Sequence, residues 1–335
     1  MITSLHWWKK NQLEYKKKMN LKDLKDKFHL KKDEKIIIAC SWWCDSMFLL
    51  SEAVISLGKE KIIVVHFNHH LRWEESNRDE KFVEKYCKDN NIIYVCWRDD
   101  INKLAQKLKV WIEEAARIAR YNFLRDIKTK EKASYIMTAH HLDDSIETFI
   151  FNLVRWAKLS WLTWIEEENC DIIRPLITTT KEDILKACKD RKIPFIEDST
   201  NIDDKYLRNH IRLNIIPEFS KINPNFRNNL SYTMWYFKEL REHLDNEIQS
   251  KIREDSYFEV KEFFSLSSFI QKELIAYIFR LTNKWSIWLT SRNIDEVIRF
   301  IGDTWNWTKK DIKEMKLTKR KGKVYFTLDI PFDKR

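Results

Sequence analysis

Residues 36–46, IIIACSWWCDS, constrain this chain more than any other stretch. An apolar run that breaks into a short polar turn and then enters the apolar residues 47–57 reads as a buried strand, a tight turn and a helix start. First-turn N–H groups have no partner within their helix and the helix dipole favours negative charge there, so this frame suits a phosphate. The turn itself conflicts with the frame. Trp42 and Trp43 occupy the positions where backbone has to approach a phosphate closely, and that approach calls for glycine.

Composition bears on the conflict. About 7% glycine, roughly two dozen residues, is ordinary for a chain of this length, yet there are 3 Gly and 15 Trp in 335 residues. Trp156, Trp161 and Trp164 stand at the end of a helical pattern, where C-cap and turn residues belong. Trp305 and Trp307 flank Asn306 in a polar turn beside Gly302, a poor setting for exposed indoles. The hypothesis that accounts for most of these tryptophans is recoding: a codon that the source organism reads as glycine, with UGA the natural suspect, is written here as tryptophan. The alternative is a protein unusually rich in tryptophan.

With glycine read at 42 and 43 the turn becomes S-G-G-C-D-S. It then resembles the phosphate-binding loop of the N-type ATP pyrophosphatases, which split ATP into an adenylylated intermediate and pyrophosphate. It differs from the G-x-x-x-x-G-K-[ST] loop because no lysine follows the turn.

The first half of the chain alternates strand and helix patterns. Residues 36–40, 61–67, 92–96 and 135–139 read as strands; residues 47–57, 76–90 and about 143–155 read as helices, and a helical region follows residue 96 with 112–128 its clearest part. Such repeats predict a parallel α/β sheet covered on both faces, with ligands bound beyond the carboxyl ends of its strands. Ser41–Ser46 and His140–Asp144 both follow strand ends, so they are expected to converge on one crevice. Asp143 or Asp144 with Glu147 shares one helical face, suited to Mg²⁺ beside phosphates or to an incoming ammonium. Acids at a helix N-terminus are also common on electrostatic grounds alone.

Further stretches extend the resemblance: residues 66–72 (HFNHHLR), 114–121 (EAARIARY), 138–148 (THHLDDSIET with Ala139 after the threonine), 174–176 (RPL), 197–201 (EDSTN) and 206–212 (YLRNHIR) through Pro217. Together, over roughly residues 36–224, they are similar to the tRNA(Ile)-lysidine synthetases, which attach free lysine to the wobble cytidine of a tRNA(Ile) with a CAU anticodon. In that family the positions of Trp42, Trp43, Trp73, Trp111, Trp156, Trp161 and Trp164 are typically glycine.

The resemblance implies the fold, an adenine nucleotide alpha hydrolase-like catalytic domain followed by a smaller, mainly helical one. It also implies the chemistry: ATP adenylylates the cytosine C2 oxygen, pyrophosphate leaves, and the lysine ε-amine attacks C2 and expels AMP. On this reading Ser41, Trp42, Trp43, Cys44, Asp45, Ser46 and His140 line the ATP site, Asp45 and Asp143 hold Mg²⁺, and Asp45, Arg117, Asp144 and Glu147 serve catalysis. Asp144 and Glu147 would grip the lysine, and Arg208, Asn209 and Arg212 would face tRNA. Two residue-level alternatives stay open: Arg117 as a surface arginine paired with Glu113 or Glu114, and Arg208 as a strut bonded to Asp198 or Asp203.

After Pro217 the pattern shifts to long amphipathic helices, over residues 226–253, 268–282 and 292–301, with a strand at 323–328. The expected division is an N-terminal extension over residues 1–30, the catalytic domain over 31–217 and a tRNA-contacting domain over 218–335. Lys+Arg exceed Asp+Glu by 61 to 51, a net +10 that favours a polyanionic partner. The clusters at 16–18 and 316–323 are either phosphate contacts or solvated surface.

Six cysteines without C-x-x-C spacing fit free thiols in a reducing cytoplasm, and count against a thiolase that works through paired cysteines. No run reaches the ~20 apolar residues of a membrane span, and the lysine-rich residues 1–20 lack a signal peptide's apolar segment. Met19 is a second candidate start. A homodimer is compatible with the resemblance.

Overall fold

The computed structural model describes residues 24–31, 33–68, 73–98, 101–108, 110, 112–154, 159, 162, 165–196, 207–282, 289–303, 307–313 and 315–327. Outside them lie residues 1–23 of the expected extension, residues 69–72 and 197–206 of the resemblance, and Trp111, Trp156, Trp161, Trp164 and Trp305. Asp198 and Asp203, the alternative partners of Arg208, lie outside them too. The chain divides into two compact units, residues 1–156 with 164–232, and residues 157–163 with 233–335.

In the first unit the order is α1 (Leu24–Lys27), β1 (Ile36–Ala39), α2 (Cys44–Leu57), β2 (Ile62–Asn68), α3 (Trp73–Asp89), β3 (Ile93–Arg98), α4 (Ile101–Leu108), α5 (Ile112–Glu131), β4 (Tyr135–Met137) and α6 (Leu142–Val154). Then come β5 (Glu168–Asn169), β6 (Ile172–Ile173), α7 (Lys181–Asp190), α8 (Leu207–His210), a π-helical turn (Ile211–Ile215) and α9 (Ile216–Ile222). The six strands form one sheet in the order β3-β2-β1-β4-β6-β5, parallel except for β5 against β6. Ile36, Ile37 and Ile38 are all buried, because β1 is central and covered on both faces. This is why the strand reads as a continuous apolar run rather than an alternation. Burying each such side chain contributes about 1.5–3 kcal/mol.

The strand order positions the site. From β1 the chain steps outward through β2 to β3, then returns to place β4 on the other side of β1. The carboxyl ends of β1 and β4 therefore flank the point where the order reverses, which is where such sheets open a crevice. The turn 40–43 leaves β1 and residues 138–141 leave β4, as the alternating pattern predicts. The helical region expected after β3 divides into α4 and α5, and the pattern did not predict α7, which is short, nor β5 and β6, two residues each.

The division between units falls inside α10 (Phe226–Gln249). The second unit continues with β7 (Tyr257–Glu259), α11 (Val260–Ser265), α12 (Ser268–Thr282), α13 (Ser291–Gly302), β8 (Thr308–Ile312), β9 (Met315–Arg320) and β10 (Lys323–Phe326). It is helical as expected, with one addition: an antiparallel sheet in the order β7-β10-β9-β8. The basic run 316–323 supplies most of β9 and the start of β10, and its apolar member Leu317 is core, as are the flanking Met315 and Val324. Lys319 is buried as well. Its ammonium donates to the carbonyls of Ile301, at 2.7 Å, and Asp303, so it caps the carboxyl end of α13. The other end of α13 has a reciprocal capping box between Thr290 and Asn293. No helix among the described residues is long and apolar enough to cross a membrane.

Candidate active site

The turn after β1 is held by its own serines. Ser46 Oγ accepts from the Ser41 N–H at 3.0 Å and donates to the Trp43 carbonyl at 3.1 Å. Trp43, the N-cap of α2, makes no side-chain cap, so no side chain competes for the helix's first N–H groups. Trp42 has φ +58° and its indole is buried against His66, with ring centroids 4.4 Å apart. A bulky residue in the left-handed region is an outlier, because its Cβ crowds the backbone. The loop thus adopts the glycine conformation while carrying an indole. His66 Nδ1–H donates to the Cys40 carbonyl at 3.0 Å, and burial lowers the pKa of its imidazole.

Beyond β4, His141 begins α6 as its N-cap, with its N–H donating to Asp144 Oδ2 at 2.9 Å. The His141 ring is buried among three carboxylates, 3.9 Å from Asp45, 3.8 Å from Asp143 and 3.4 Å from Asp144. The two strand-end turns do meet. Burial works against an ionised Asp144, but His141, His140, the His141 N–H and Arg212 outweigh it and its pKa is lowered. His140 shares a hydrogen bond of 2.8 Å with Thr138. Burial, reinforced by the positive fields of Arg174, Arg120 and Arg117 and opposed by Asp144, pushes its pKa down to about 3, so the ring is neutral at physiological pH. Arg117 is exposed on α5 and lies 5.9 Å from the Tyr121 ring.

Each carboxylate is matched to a cation of the chain. Lys181 Nζ lies 2.5 Å from Asp45 Oδ2. Asp143 accepts from Arg227 Nε and from the Lys181 N–H, both at 2.8 Å, so both of its oxygens are engaged. Arg212 closes on Glu147 through two bonds, 2.6 and 2.9 Å, and approaches Asp144 at 3.8 Å. The sequence grouped Arg212 with Arg208 and Asn209 as a tRNA-facing set. The π-helical turn instead aims Arg212 at α6, while Arg208 lies over the Phe151 ring at 5.5 Å and Asn209 is partly buried beside it.

Buried His141 Nδ1, Ser145 Oγ and Arg174 Nε have no hydrogen-bond partner, polar atoms of the kind a ligand or water satisfies. No group of three or more His, Cys, Asp or Glu among the described residues could hold a metal by itself. Mg²⁺ needs one or two carboxylates and takes its other oxygens from phosphate and water. Asp45 fits that requirement. Asp143 is the second candidate, and both of its oxygens accept from the chain, from Arg227 and the Lys181 N–H, as those of Asp45 do from Lys181 and the Cys44 thiol.

The PP-loop domain, an ATP-binding family, matches residues 12–219. The chain belongs to the PP-loop family. It is 39% identical over 201 residues to the tRNA(Ile)-lysidine synthase of Bacteroides thetaiotaomicron, covering 60% of this chain and 47% of that protein. Similarity to the tRNA(Ile)-lysidine synthase of Thermosipho africanus runs further, 32% over 287 residues, covering 82% of this chain and 66% of the relative. The chain spans about half the length of several of the curated relatives it matches. The U34-tRNA thiolase NcsA of Methanococcus maripaludis shares the fold, with a TM-score of 0.54, 16% identity and coverage of 69% of this chain and 79% of that one.

Sequence reasoning missed Lys181 and Arg227. Both lie outside any motif, and their charge gains meaning only where α7 and α10 bring them to Asp45 and Asp143.

Proposed function

We propose that this chain is a tRNA(Ile)-lysidine synthetase. It uses ATP to adenylylate the C2 oxygen of the wobble cytidine in a CAU anticodon, releases pyrophosphate, and joins the ε-amine of free L-lysine to C2 with loss of AMP. The observation that carries this reading is the meeting of the Asp45 turn and the His141–Glu147 segment at the β1/β4 switch point. The N-terminus of α2 and the hydroxyls of Ser41 and Ser46 receive the phosphates, with Trp42, Trp43 and Cys44 giving backbone to the cradle. Asp45 holds Mg²⁺, which neutralises phosphate charge when bound. His140, neutral and anchored by Thr138, lines the nucleotide. Arg117 faces charge developing on the phosphates, and Asp144 and Glu147 receive the lysine ammonium. Arg208, Asn209 and the basic second unit meet tRNA. A tRNA substrate places the protein in the cytoplasm.

A second reading is favoured by one observation, the buried Trp42 indole inside the loop. If Trp42 and Trp43 are genuine, the chain is a tRNA-binding protein with a blocked phosphate site. Incorporation of labelled lysine into tRNA(Ile) with ATP separates the two. Lysidine formation by the Trp42→Gly, Trp43→Gly protein supports the enzyme, and no incorporation under permissive conditions refutes it.

A further inference from the structure

The phosphate loop contains no basic residue: after Ser41–Ser46 the next lysine or arginine is Lys59, at the far end of α2. A loop of this kind benefits from a point charge on the outer phosphates, which the G-x-x-x-x-G-K-[ST] loop carries in its own sequence. Here the fold brings a lysine from 136 residues away. Lys181 opens α7, and α7 is fixed twice at that end. The Thr180 hydroxyl caps it by accepting from the Asp183 N–H at 3.1 Å, and the Lys181 N–H itself donates to Asp143. The backbone is therefore pinned while the side chain remains 40% exposed, with its ammonium on Asp45, which is 12% exposed. Asp45 belongs to the first turn of α2, the turn that offers the uncapped N–H groups.

We infer that Lys181 is a phosphate-binding residue of the nucleotide site, resting on Asp45 when the site is empty and passing to the pyrophosphate oxygens of ATP when nucleotide enters. The inference rests on the reading of this site as an ATP site, and not on the identity of the base or tRNA acted upon. An ion pair serving only to fasten α7 to α2 would need no exposed stem. A flexible ammonium beside a helix N-terminus instead adds a mobile positive charge to a fixed partial one, in the place where a polyphosphate has its highest charge density.

The test is equilibrium binding of ATP with Mg²⁺, of AMP, and of pyrophosphate alone, by calorimetry. The full chain carrying Trp42→Gly, which clears the indole from the loop, is compared with the same chain carrying Lys181→Met or Lys181→Arg. The expected result is a loss of roughly 10- to 100-fold for ATP and pyrophosphate in Lys181→Met, as befits one charge-assisted contact. AMP affinity should change by less than about threefold, and Lys181→Arg should recover most of the loss. Unchanged pyrophosphate affinity in a Lys181→Met protein with normal circular dichroism would overturn the inference. So would equal losses for AMP and ATP, which report distortion of the site, or no nucleotide binding by the lysine-containing protein. Failure of the lysidine reading is separately visible, as Lys181-dependent ATP binding without lysine incorporation into tRNA.

Discussion

Arg212 lies on Glu147 with two parallel bonds, Nε to Oε1 at 2.6 Å and the terminal nitrogen to Oε2 at 2.9 Å. Glu147 is buried and its pKa is raised by that burial, with Arg212 acting in the opposite direction. Arg212→Ala therefore leaves a buried carboxylate without its fork. A fully buried pair broken in this way costs about 3–5 kcal/mol. The Arg212 side chain is 38% exposed, so solvent replaces part of the contact, and a loss of about 1–3 kcal/mol is expected. Urea unfolding checks the value. Adding Glu147→Gln to Arg212→Ala should recover part of the loss, since the stranded charge is then removed.

The same carboxylates are predicted to control lysine and not ATP. Asp144→Asn and Glu147→Gln should each raise the KM for lysine roughly 10- to 100-fold, the weight of one charge-assisted bond. Release of pyrophosphate before lysine enters should stay within a few-fold of the parent. Steady-state lysidine formation with varied lysine, beside single-turnover pyrophosphate release, gives both readings. Equal damage to the two steps would remove these residues from the lysine subsite.

Acid should destabilise the first unit through His140. The unfolded chain takes up a proton at the ordinary value of 6.5, and the folded chain only at about 3. Between those values the unfolded state binds more protons, so stability rises with pH and is lost as pH falls. Glu147 acts in the opposite sense. Its raised pKa lets the folded state bind more protons just above the ordinary carboxylate value of 4.5, so its contribution falls as pH rises through that window. Replacing His140 with Gln should therefore flatten the acid limb of a melting-temperature profile. A limb as steep as the parent's would show that other groups set it.

Trp42→Gly sets two magnitudes against each other. Removing the side chain from a residue at φ +58° relieves about 1–2 kcal/mol of backbone strain. Losing the buried indole beside His66 and Phe82 costs about 3–5 kcal/mol. The ligand-free protein should thus lose about 1–4 kcal/mol of stability and gain nucleotide binding, the first seen by thermal unfolding and the second by calorimetry. A peptide mass spectrum of residues 36–59 from native cells decides which side chain the organism makes. Glycine there leaves an intact phosphate loop, and tryptophan favours the binding-protein reading. Trp307 extends the test, because it also has a left-handed φ, +75°, and an exposed indole with Arg320 stacked 4.1 Å away.

By itself the sequence determined the parallel sheet, the two strand-end turns and the acidic start of α6. Each of these is local: an apolar run such as Ile36–Ile38, a turn, and a helix period lie within a few residues of one another, and short-range physics suffices to read them. Even the conflict at Trp42 was legible, because glycine's backbone freedom is a property of one position. Only the tertiary structure decided what each acid faces. Asp143 accepts from Arg227 and the Lys181 N–H, and Arg212 closes on Glu147 from the π-helical turn, partners that no spacing in the sequence announces. Lys181 carried no signal at all, standing 136 residues from Asp45 in an ordinary amphipathic helix. Ion pairs join groups according to distance in space, and a sequence records that distance only once the sheet and the helices packed upon it have fixed it.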